Sequence, residues 1–576
     1  MATDQRSFLG AMVALAPKLT LAVLIGPVLA GLFGTVLPAI GFLQPGGSGV
    51  LSGALSAQPL TLALDTPGLL QSSWLSVKTG MVSTFGALAV AMLLVAGWHG
   101  TRWFRVTEQA LSPLLSVPHA AAALGLVFLI APSGWLARLA SPTLTGWDRP
   151  PDILVLQDPG GWALILGLVA KELPFLLLML LAALPQVSSA ASLRVCQALG
   201  YGRVLGWMVA VAPQVYAQIR LPVYAVLAYG MSNVDVALVL GPNTPPTLAM
   251  RILQGMSDPD LNQRAPAAVL ALYQLALVAM ALGLWRLGES MAGHLTRRSV
   301  WRGWRLPSLP DRILRISGLS VAAVAALSIF TGLITHAVWS VAGRWRFPDA
   351  LPEQLKLRTW MRHGADITDA VGLTLSLALT AALISLMLTV LCLEAEHRSQ
   401  RKMGKAGLLI LYLPLILPQI TFLPGLQILL LKGGVSSGGA PVLIAHVVFV
   451  LPYVFLTLAG PFRAWDARYA TLGATLGASA DRTLWRLRLP MLLRPLLTAL
   501  AVGMAVSVGQ YLPTLLASGG RLATLTTEAL ALASGGDRRA IGAWALALTL
   551  VAWGPFMLAL ALPSLLHRNR KGMSHG

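Results

Sequence analysis

A few ionisable and polar side chains lie inside long apolar stretches of this sequence, and these are the residues best placed to do chemistry. Lys171 and Glu172 occupy the middle of one apolar stretch, and Asp235 lies in the outer part of a second one. Gln510 lies within another apolar stretch near the C-terminal end of the chain. Charged groups are costly in a bilayer, so a carboxylate there is a candidate for lining a solute path. The alternative is a structural pair between helices. Glu172, Asp235 and Gln510 are therefore the candidates for a translocation path.

Other kinds of site have no signature in this sequence. The chain contains no GxxxxGK[ST] phosphate-binding loop, no HExxH zinc motif and no CxxC pair, and its nine His are scattered. We interpret a lone His in an apolar stretch, such as His446, as a hydrogen-bonded packing residue rather than a ligand. We therefore predict no catalytic residue, no metal site and no directly bound cofactor.

Membrane-spanning helices must position these polar residues. Only 11% of the residues are charged and 56% are hydrophobic. The apolar residues come in blocks long enough to cross a bilayer, which takes about 20 residues of helix. We predict an all-α, polytopic membrane protein with about twelve transmembrane helices. Their approximate limits are 19–42, 74–98, 115–139, 159–184, 214–240, 265–287, 316–342, 368–393, 407–431, 440–462, 491–517 and 541–566.

The formal charge of +20 is interpreted as a membrane signal and not as a nucleic-acid-binding surface. Inner-membrane proteins concentrate Lys and Arg in their cytoplasmic segments, and most of the basic residues fall inside if both termini are cytoplasmic. We predict a multi-pass protein of the bacterial inner membrane with that topology and with no nucleic-acid partner. The basic loop 343–366, which would be outside, is the exception.

The chain divides into two halves of six spans. A basic, Trp-containing segment at 291–315 separates a first six-span half at 1–290 from a second at 316–576. Each half has a long cytoplasmic loop between its fourth and fifth spans, at 194–213 and 471–490. At a shift of 277 residues the loops share Leu199/Leu476, Gly200/Gly477 and Pro213/Pro490. This pattern indicates two parallel repeats, as in a duplicated transporter.

The two loops resemble the EAA loop of ABC importer permeases, in which a Gly is followed thirteen positions later by a Pro. The second is the better match, with LGAS at 476–479 and LRLP at 487–490. The segments 234–242 (VDVALVLGP) and 509–539 are similar to fused permeases of the thiamine and ferric-iron branch. The resemblance covers essentially the whole chain and implies a fold like that of type I ABC importer permeases.

The resemblance also implies partners and site residues. Two copies of a cytoplasmic ABC ATPase would dock at the loops and supply ATP hydrolysis, so the chain itself is no enzyme. A periplasmic solute-binding protein would deliver the solute. The implied ATPase-docking residues are Arg194, Leu199, Gly200 and Pro213 in the first loop and Thr471, Leu476, Gly477, Leu487, Leu489 and Pro490 in the second. Arg194 and Thr471 stand where the family has an acidic residue, so its ion pair is absent or reversed.

Elementary conformational preferences agree with a docking role. Gly accepts the left-handed backbone that ends one helix and starts another at an angle, and Pro at the first position of a helix costs no hydrogen bond. Each loop is therefore predicted to form a rigid pair of short helices; alternatively, the Gly and Pro only shape a loop.

Two further questions stay open from the sequence. A twelve-span secondary transporter is the alternative to an ATP-driven permease. The substrate expected from the resemblance is a small organic cation of the thiamine type, or alternatively ferric iron.

Overall fold

The computed structural model describes residues 8–42, 55–305, 308–435 and 437–566. Within these ranges the chain is helical and contains no β-strand, and Ala342 and Leu355 form one isolated bridge. A backbone in lipid must satisfy its own N–H and C=O groups, which is why the apolar blocks become helices. The all-α prediction is confirmed.

The helices are named here in chain order. Those of the first half are α1 (Phe8–Ala39), α2 (Gln58–Leu64), α3 (Leu69–Trp98), α4 (Arg102–Leu111), α5 (His119–Ile130), α6 (Trp135–Ala140), α7 (Trp162–Ala183), α8 (Ser189–Ala198), α9 (Arg203–Ala210), α10 (Ala212–Ser232), α11 (Asp235–Leu240), α12 (Leu248–Ser257) and α13 (Arg264–Trp301). Those of the second half are α14 (Ser308–Ser340), α15 (Arg358–Ser399), α16 (Lys405–Ile416), α17 (Gln419–Lys432), α18 (Gly439–Ala464), α19 (Arg468–Thr475), α20 (Ala480–Thr483), α21 (Leu489–Met491), α22 (Leu493–Val508), α23 (Leu512–Ser518), α24 (Leu525–Ala533) and α25 (Arg538–Leu566). A π-helical turn joins α20 to α21.

The described residues contain nine helices that are long and apolar enough to cross a membrane, or eleven if each of two bent pairs is one span. The helices α16 and α17 meet at 85°, and the helical segment that ends with α21 meets α22 at 76°. The predicted fifth span, 214–240, is not continuous, because α10 ends at Ser232 and the short α11 begins at Asp235. The nine to eleven candidate spans, together with the interrupted fifth span, are consistent with the predicted number of about twelve.

The two halves repeat in three dimensions with the same spacing as in the sequence. The starts of α7 and α18, of α10 and α21, of α11 and α23, and of α12 and α24 are each 277 residues apart. The helices α12 and α24 also begin alike, with Thr247 and Thr524 as N-caps. Their next backbone N–H groups donate to Ser76 of α3 and Thr374 of α15. This correspondence supports a parallel duplication.

The first helix of each half packs on the other half. Helix α1 lies against α17, α15 and α18, while α14 lies against α3 and α5. Hydrogen bonds cross both contacts: Thr35 Oγ1 of α1 donates to the Thr421 carbonyl of α17 at 2.8 Å, and His336 Nε2 of α14 donates to the Ala121 carbonyl of α5 at 3.0 Å. The sequence halves are therefore interlocked in space.

Glycines permit both of these close helix crossings. A Cβ on Gly125 of α5 would lie 2.9 Å from the backbone carbon of Gly332 of α14. On the other side, a Cβ on Gly34 of α1 would lie 2.7 Å from the carbonyl carbon of Gly425 of α17. Small residues at such crossings let two helix backbones approach closely in a membrane.

The predicted linker 291–315 is largely helical. Helix α13 continues to Trp301 and α14 begins at Ser308, so most of the segment extends the two flanking helices. Its end is fixed to the first half, since Trp98 Nε1 donates to the Arg315 carbonyl at 2.7 Å and the Arg315 guanidinium lies 4.3 Å from the Trp98 ring. The domain boundaries at 290 and 316 stay a prediction.

Candidate functional site

Lys171 and Glu172 are buried on α7 and contact different partners. Glu172 Oε1 lies 3.0 Å from His119 Nε2 at the start of α5, whereas Lys171 Nζ donates to the Leu114 carbonyl at 2.8 Å. Adjacent helical residues point about 100° apart, which accounts for the separate partners. Glu172 is therefore hydrogen-bonded to His119 and not to Lys171.

Asp235 lies at the break between α10 and α11. The Asn233 side-chain oxygen accepts hydrogen bonds from the Val236 and Ala237 N–H groups, at 2.9 and 3.1 Å, and so caps the start of α11. The Asn233 side-chain amide donates to Asp235 Oδ1 at 2.7 Å. Tyr229 OH donates to the same oxygen at 3.3 Å. The interruption of the span thus fixes a buried carboxylate.

Three tyrosines lie near the two carboxylates. The Tyr229 ring packs against that of His119, the partner of Glu172, with centroids 4.9 Å apart. Tyr453 lies within electrostatic range of Glu172, and Tyr511 within electrostatic range of Asp235. We call the two carboxylates and the three tyrosines the carboxylate–tyrosine cluster. Because Tyr453 and Tyr511 belong to the second half, the cluster lies where the two halves meet.

Sequence reasoning missed the tyrosines of this cluster. One signal for Tyr453 was available, because Leu451-Pro452-Tyr453 nearly corresponds to Leu173-Pro174-Phe175 in the repeat. The Tyr453 and Phe175 rings meet edge-on across the halves, with centroids 6.5 Å apart. Nothing in the local sequence marks Tyr229 or Tyr511 as neighbours of a carboxylate.

Gln510 occupies the position of Asn233 in the second half, again 277 residues further along. It is buried, and its side-chain oxygen has no hydrogen-bond partner within the described ranges. It directly precedes Tyr511 of the cluster, but no hydrogen bond is described between it and Glu172 or Asp235. His446 is held between Ser507 and Thr514, at 2.7 and 2.9 Å, in agreement with its interpretation as a packing residue.

Helices α8 and α9 form the first loop, with Gly200 between them at φ +82°. The left-handed backbone predicted for this Gly is observed. Arg194 and Leu199 are exposed, the latter by 55%. Pro213 is the second residue of α10, so α9 separates the Gly from the Pro and the Pro starts the next long helix.

The first loop is held by residues outside it. Asp311 of α14 accepts the Val204 N–H at 2.9 Å and so caps α9 from the other half of the chain. Arg203 donates to the His99 carbonyl at 2.7 Å, and burial lowers the pKa of this Arg from its ordinary value. The Arg305 guanidinium lies over the Tyr201 ring at 5.4 Å. The loop is thus attached to α3 and α14.

Helices α19 and α20 form the second loop, with Gly477 at φ +76° between them, again as predicted. Leu476 is 79% exposed, and Leu472 and Trp485 are also largely exposed. The other predicted residues lie along the same segment: Thr471, Leu487 and Pro490 are exposed and Leu489 is half-buried. At the start of the loop, the Arg468 side chain donates to Asp466 and lowers the pKa of that carboxyl.

An ion-pair network attaches the second loop to α15. Arg488 is buried and pairs with buried Glu394, and it also lies over the Trp465 ring at 4.2 Å. Arg398 bridges the Glu394 carboxylate and Asp481, with both distances at 2.8 Å. A buried pair of this kind is costly to break, because the remaining charge has no compensation. The loop is therefore fixed to the end of α15 by ion pairs.

Comparison with known proteins places this architecture in a family. Residues 392–569 match the family described as binding-protein-dependent transport system inner membrane component. The chain is also 30% identical over 515 residues to the inner membrane ABC transporter permease protein YnjC of Escherichia coli K12, covering 88% of this chain and 90% of that protein.

The chain belongs to this family and is the permease subunit of an ABC transporter. It is a multi-pass inner-membrane protein, and ATP hydrolysis is done by a separate ATPase subunit. Similarity also extends to the thiamine transport system permease protein ThiP of Salmonella typhimurium, with 28% identity over 422 residues, covering 69% of this chain and 70% of that protein. The ThiP of Escherichia coli K12 is 27% identical over 464 residues, which cover 76% and 78% of the two chains. Membership of the ABC transporter permease family excludes the alternative of a secondary transporter.

Proposed function

We propose that this permease forms its translocation path between its two halves, at the carboxylate–tyrosine cluster, and binds two copies of an ABC ATPase, one at the first loop and one at the second loop. A periplasmic solute-binding protein would deliver the solute to the side opposite the loops, and both termini would be cytoplasmic.

The docking proposal rests on paired exposed surfaces. Leu199 and Leu476 are exposed at equivalent positions of the two loops, each directly before a left-handed Gly. Contiguous exposed apolar side chains are typical of protein–protein contacts. Each loop is also fixed to a long helix. Asp311 of α14 holds the first loop, and Arg488 ties the second loop to Glu394 of α15. A force applied at either loop would therefore reach the spans.

The convergence of residues from both halves is the observation that carries the path proposal. Rocking of one half against the other would separate Tyr453 and Tyr511 from Glu172 and Asp235. Buried carboxylates would meet a solute at this seam, and they favour a cation over an anion.

The substrate that fits this cluster best is a small organic cation of the thiamine type. Tyrosine faces attract organic cations, and the two carboxylates supply compensating negative charge. The likeness to the thiamine transport system permeases supports the same class. Ferric iron is the alternative, because phenol and carboxylate oxygens are also hard ligands.

Uptake of labelled thiamine in cells with and without this chain tests the proposal. We expect Glu172→Gln and Asp235→Asn each to lower uptake at least about tenfold, which equals a loss of about 1.4 kcal/mol at the transition state. Asp152→Asn, which removes an exposed carboxylate outside the cluster, is the matched control and should transport normally.

Two results would decide against this assignment. Unchanged thiamine uptake on deletion of the chain, with loss of ferric-iron uptake, would assign iron as the substrate. Normal transport by both Glu172→Gln and Asp235→Asn would show that these two carboxylates have a structural role and do not line the path.

Cysteine labelling tests the orientation separately. A cysteine at Ser574 should be labelled from the cytoplasm and one in the segment 242–264 from the periplasm. Labelling of both from one side would contradict the topology.

A further inference from the structure

A cavity that shares no residue with the carboxylate–tyrosine cluster lies between the first helix of one half and two helices of the other. Its volume is about 390 Å³, within the range of about 300–1,000 Å³ that is usual for small-molecule sites. The walls are formed by α1, α15 and α16, with Phe455 of α18 at one side. Its apolar lining includes Leu21, Leu24, Ile410 and Leu411.

The mouth of this cavity is positively charged. Arg401 and Lys402 line it from the short connection between α15 and α16, and both are exposed and take part in no described ion pair. Glu396 also lines the mouth, but both of its oxygens are occupied: Arg463 donates to each of them at 3.0 Å, and the Met403 N–H donates to one at 3.0 Å. The charge offered to a ligand is therefore that of Arg401 and Lys402.

We propose that this cavity binds an anionic phospholipid of the surrounding bilayer. An acyl chain would lie along the apolar walls between α1 and α16, and the phosphate would contact Arg401 and Lys402. The basic pair lies on the short connection between α15 and α16, both of which belong to candidate membrane spans, and the connections between spans are where lipid head groups would be reached. Basic pockets between membrane helices are a recognised setting for acidic head groups.

The chemistry of the cavity favours this ligand over a soluble anion. Free phosphate would use the two basic side chains but would leave the apolar volume empty, whereas a neutral lipid would fill the volume but gain nothing from the charge. Only an anionic amphiphile satisfies both features. Such a lipid would also bridge α1 to the half on which it packs.

Native mass spectrometry of the purified full-length chain tests the proposal directly. We expect titration with phosphatidylglycerol to give a saturable one-lipid complex that phosphatidylcholine does not give at the same concentration. The double variant R401Q/K402Q should bind about 30-fold more weakly, since each basic residue near an anionic lipid contributes about fivefold. R297Q/R298Q, which removes an adjacent pair of exposed basic residues from α13, should bind as the unmodified chain does.

A second variant and a label locate the lipid. I410W keeps the charges and fills part of the cavity, so it should also lose the complex. Cys392 lines the cavity, and alkylation of its thiol by a small apolar maleimide should slow when phosphatidylglycerol is bound, while alkylation of Cys196 on α8 should not change.

Three results would overturn the proposal: equal binding of the two lipids, full binding by R401Q/K402Q, or full binding by I410W. Competition of inorganic phosphate alone for the site would instead identify a simple anion site.

Discussion

The crossing of α1 and α17 provides a sharp test of how the two halves are held together. Gly26 and Gly34 both lie on α1, and replacing either with Ala adds a single methyl group. A Cβ at Gly34 would lie 2.7 Å from the Gly425 carbonyl carbon and 2.9 Å from Leu429 Cγ. A Cβ at Gly26 would meet no atom within 4 Å.

The magnitude follows from these distances. Non-bonded carbon atoms prefer separations of about 3.5–4.0 Å, so Gly34→Ala requires one helix to move away from the other. Overpacking of this kind costs about 1–3 kcal/mol, and the upper end applies because the opposing atom belongs to the backbone. Ala favours a helix over Gly by about 1 kcal/mol in both variants. The expected difference in the free energy of unfolding between Gly34→Ala and Gly26→Ala is therefore about 3 kcal/mol.

Unfolding of the full-length chain in mixed micelles, titrated with dodecyl sulfate, measures this difference. Gly26→Ala should be as stable as the unmodified chain or slightly more stable, whereas Gly34→Ala should unfold at a clearly lower dodecyl sulfate fraction. Equal unfolding of the two variants would refute the close crossing of α1 and α17 and with it the interlocking of the halves.

Two further predictions concern the second loop. Gly477→Val should introduce about 1–2 kcal/mol of local strain and should lower transport and co-purification of the ATPase together, with membrane insertion intact. Gly536→Val is the control, because Gly536 has the same φ of +76° and no neighbour within 4 Å. Normal transport by Gly536→Val would show that backbone strain alone does not cause the loss of transport in Gly477→Val. Glu394→Gln should destabilise the chain by about 3–5 kcal/mol in the same unfolding assay, because Arg488 is left buried without its carboxylate. Recovery is expected when Arg488→Met is added, and a neutral effect of Glu394→Gln alone would contradict the assigned burial of this pair.

Local properties of the sequence were sufficient for much of this description. Long apolar blocks can only be helices in lipid, so their lengths indicated a polytopic all-α protein. The left-handed backbone at Gly200 and Gly477 follows from residue type and from the helices on either side of each. The shared spacing of the two loops indicated the repeat, and the same spacing relates the helices of the two halves.

Contacts between distant segments were decided only by the tertiary structure. Tyr453 and Tyr511 are separated by hundreds of residues from Glu172 and Asp235, and no local pattern states which helix faces meet. The same applies to Arg488, which is buried against Glu394 of a distant helix. Hydropathy identifies which segments enter the membrane, but it carries little information about partners, because in lipid the choice depends on close packing and specific polar contacts.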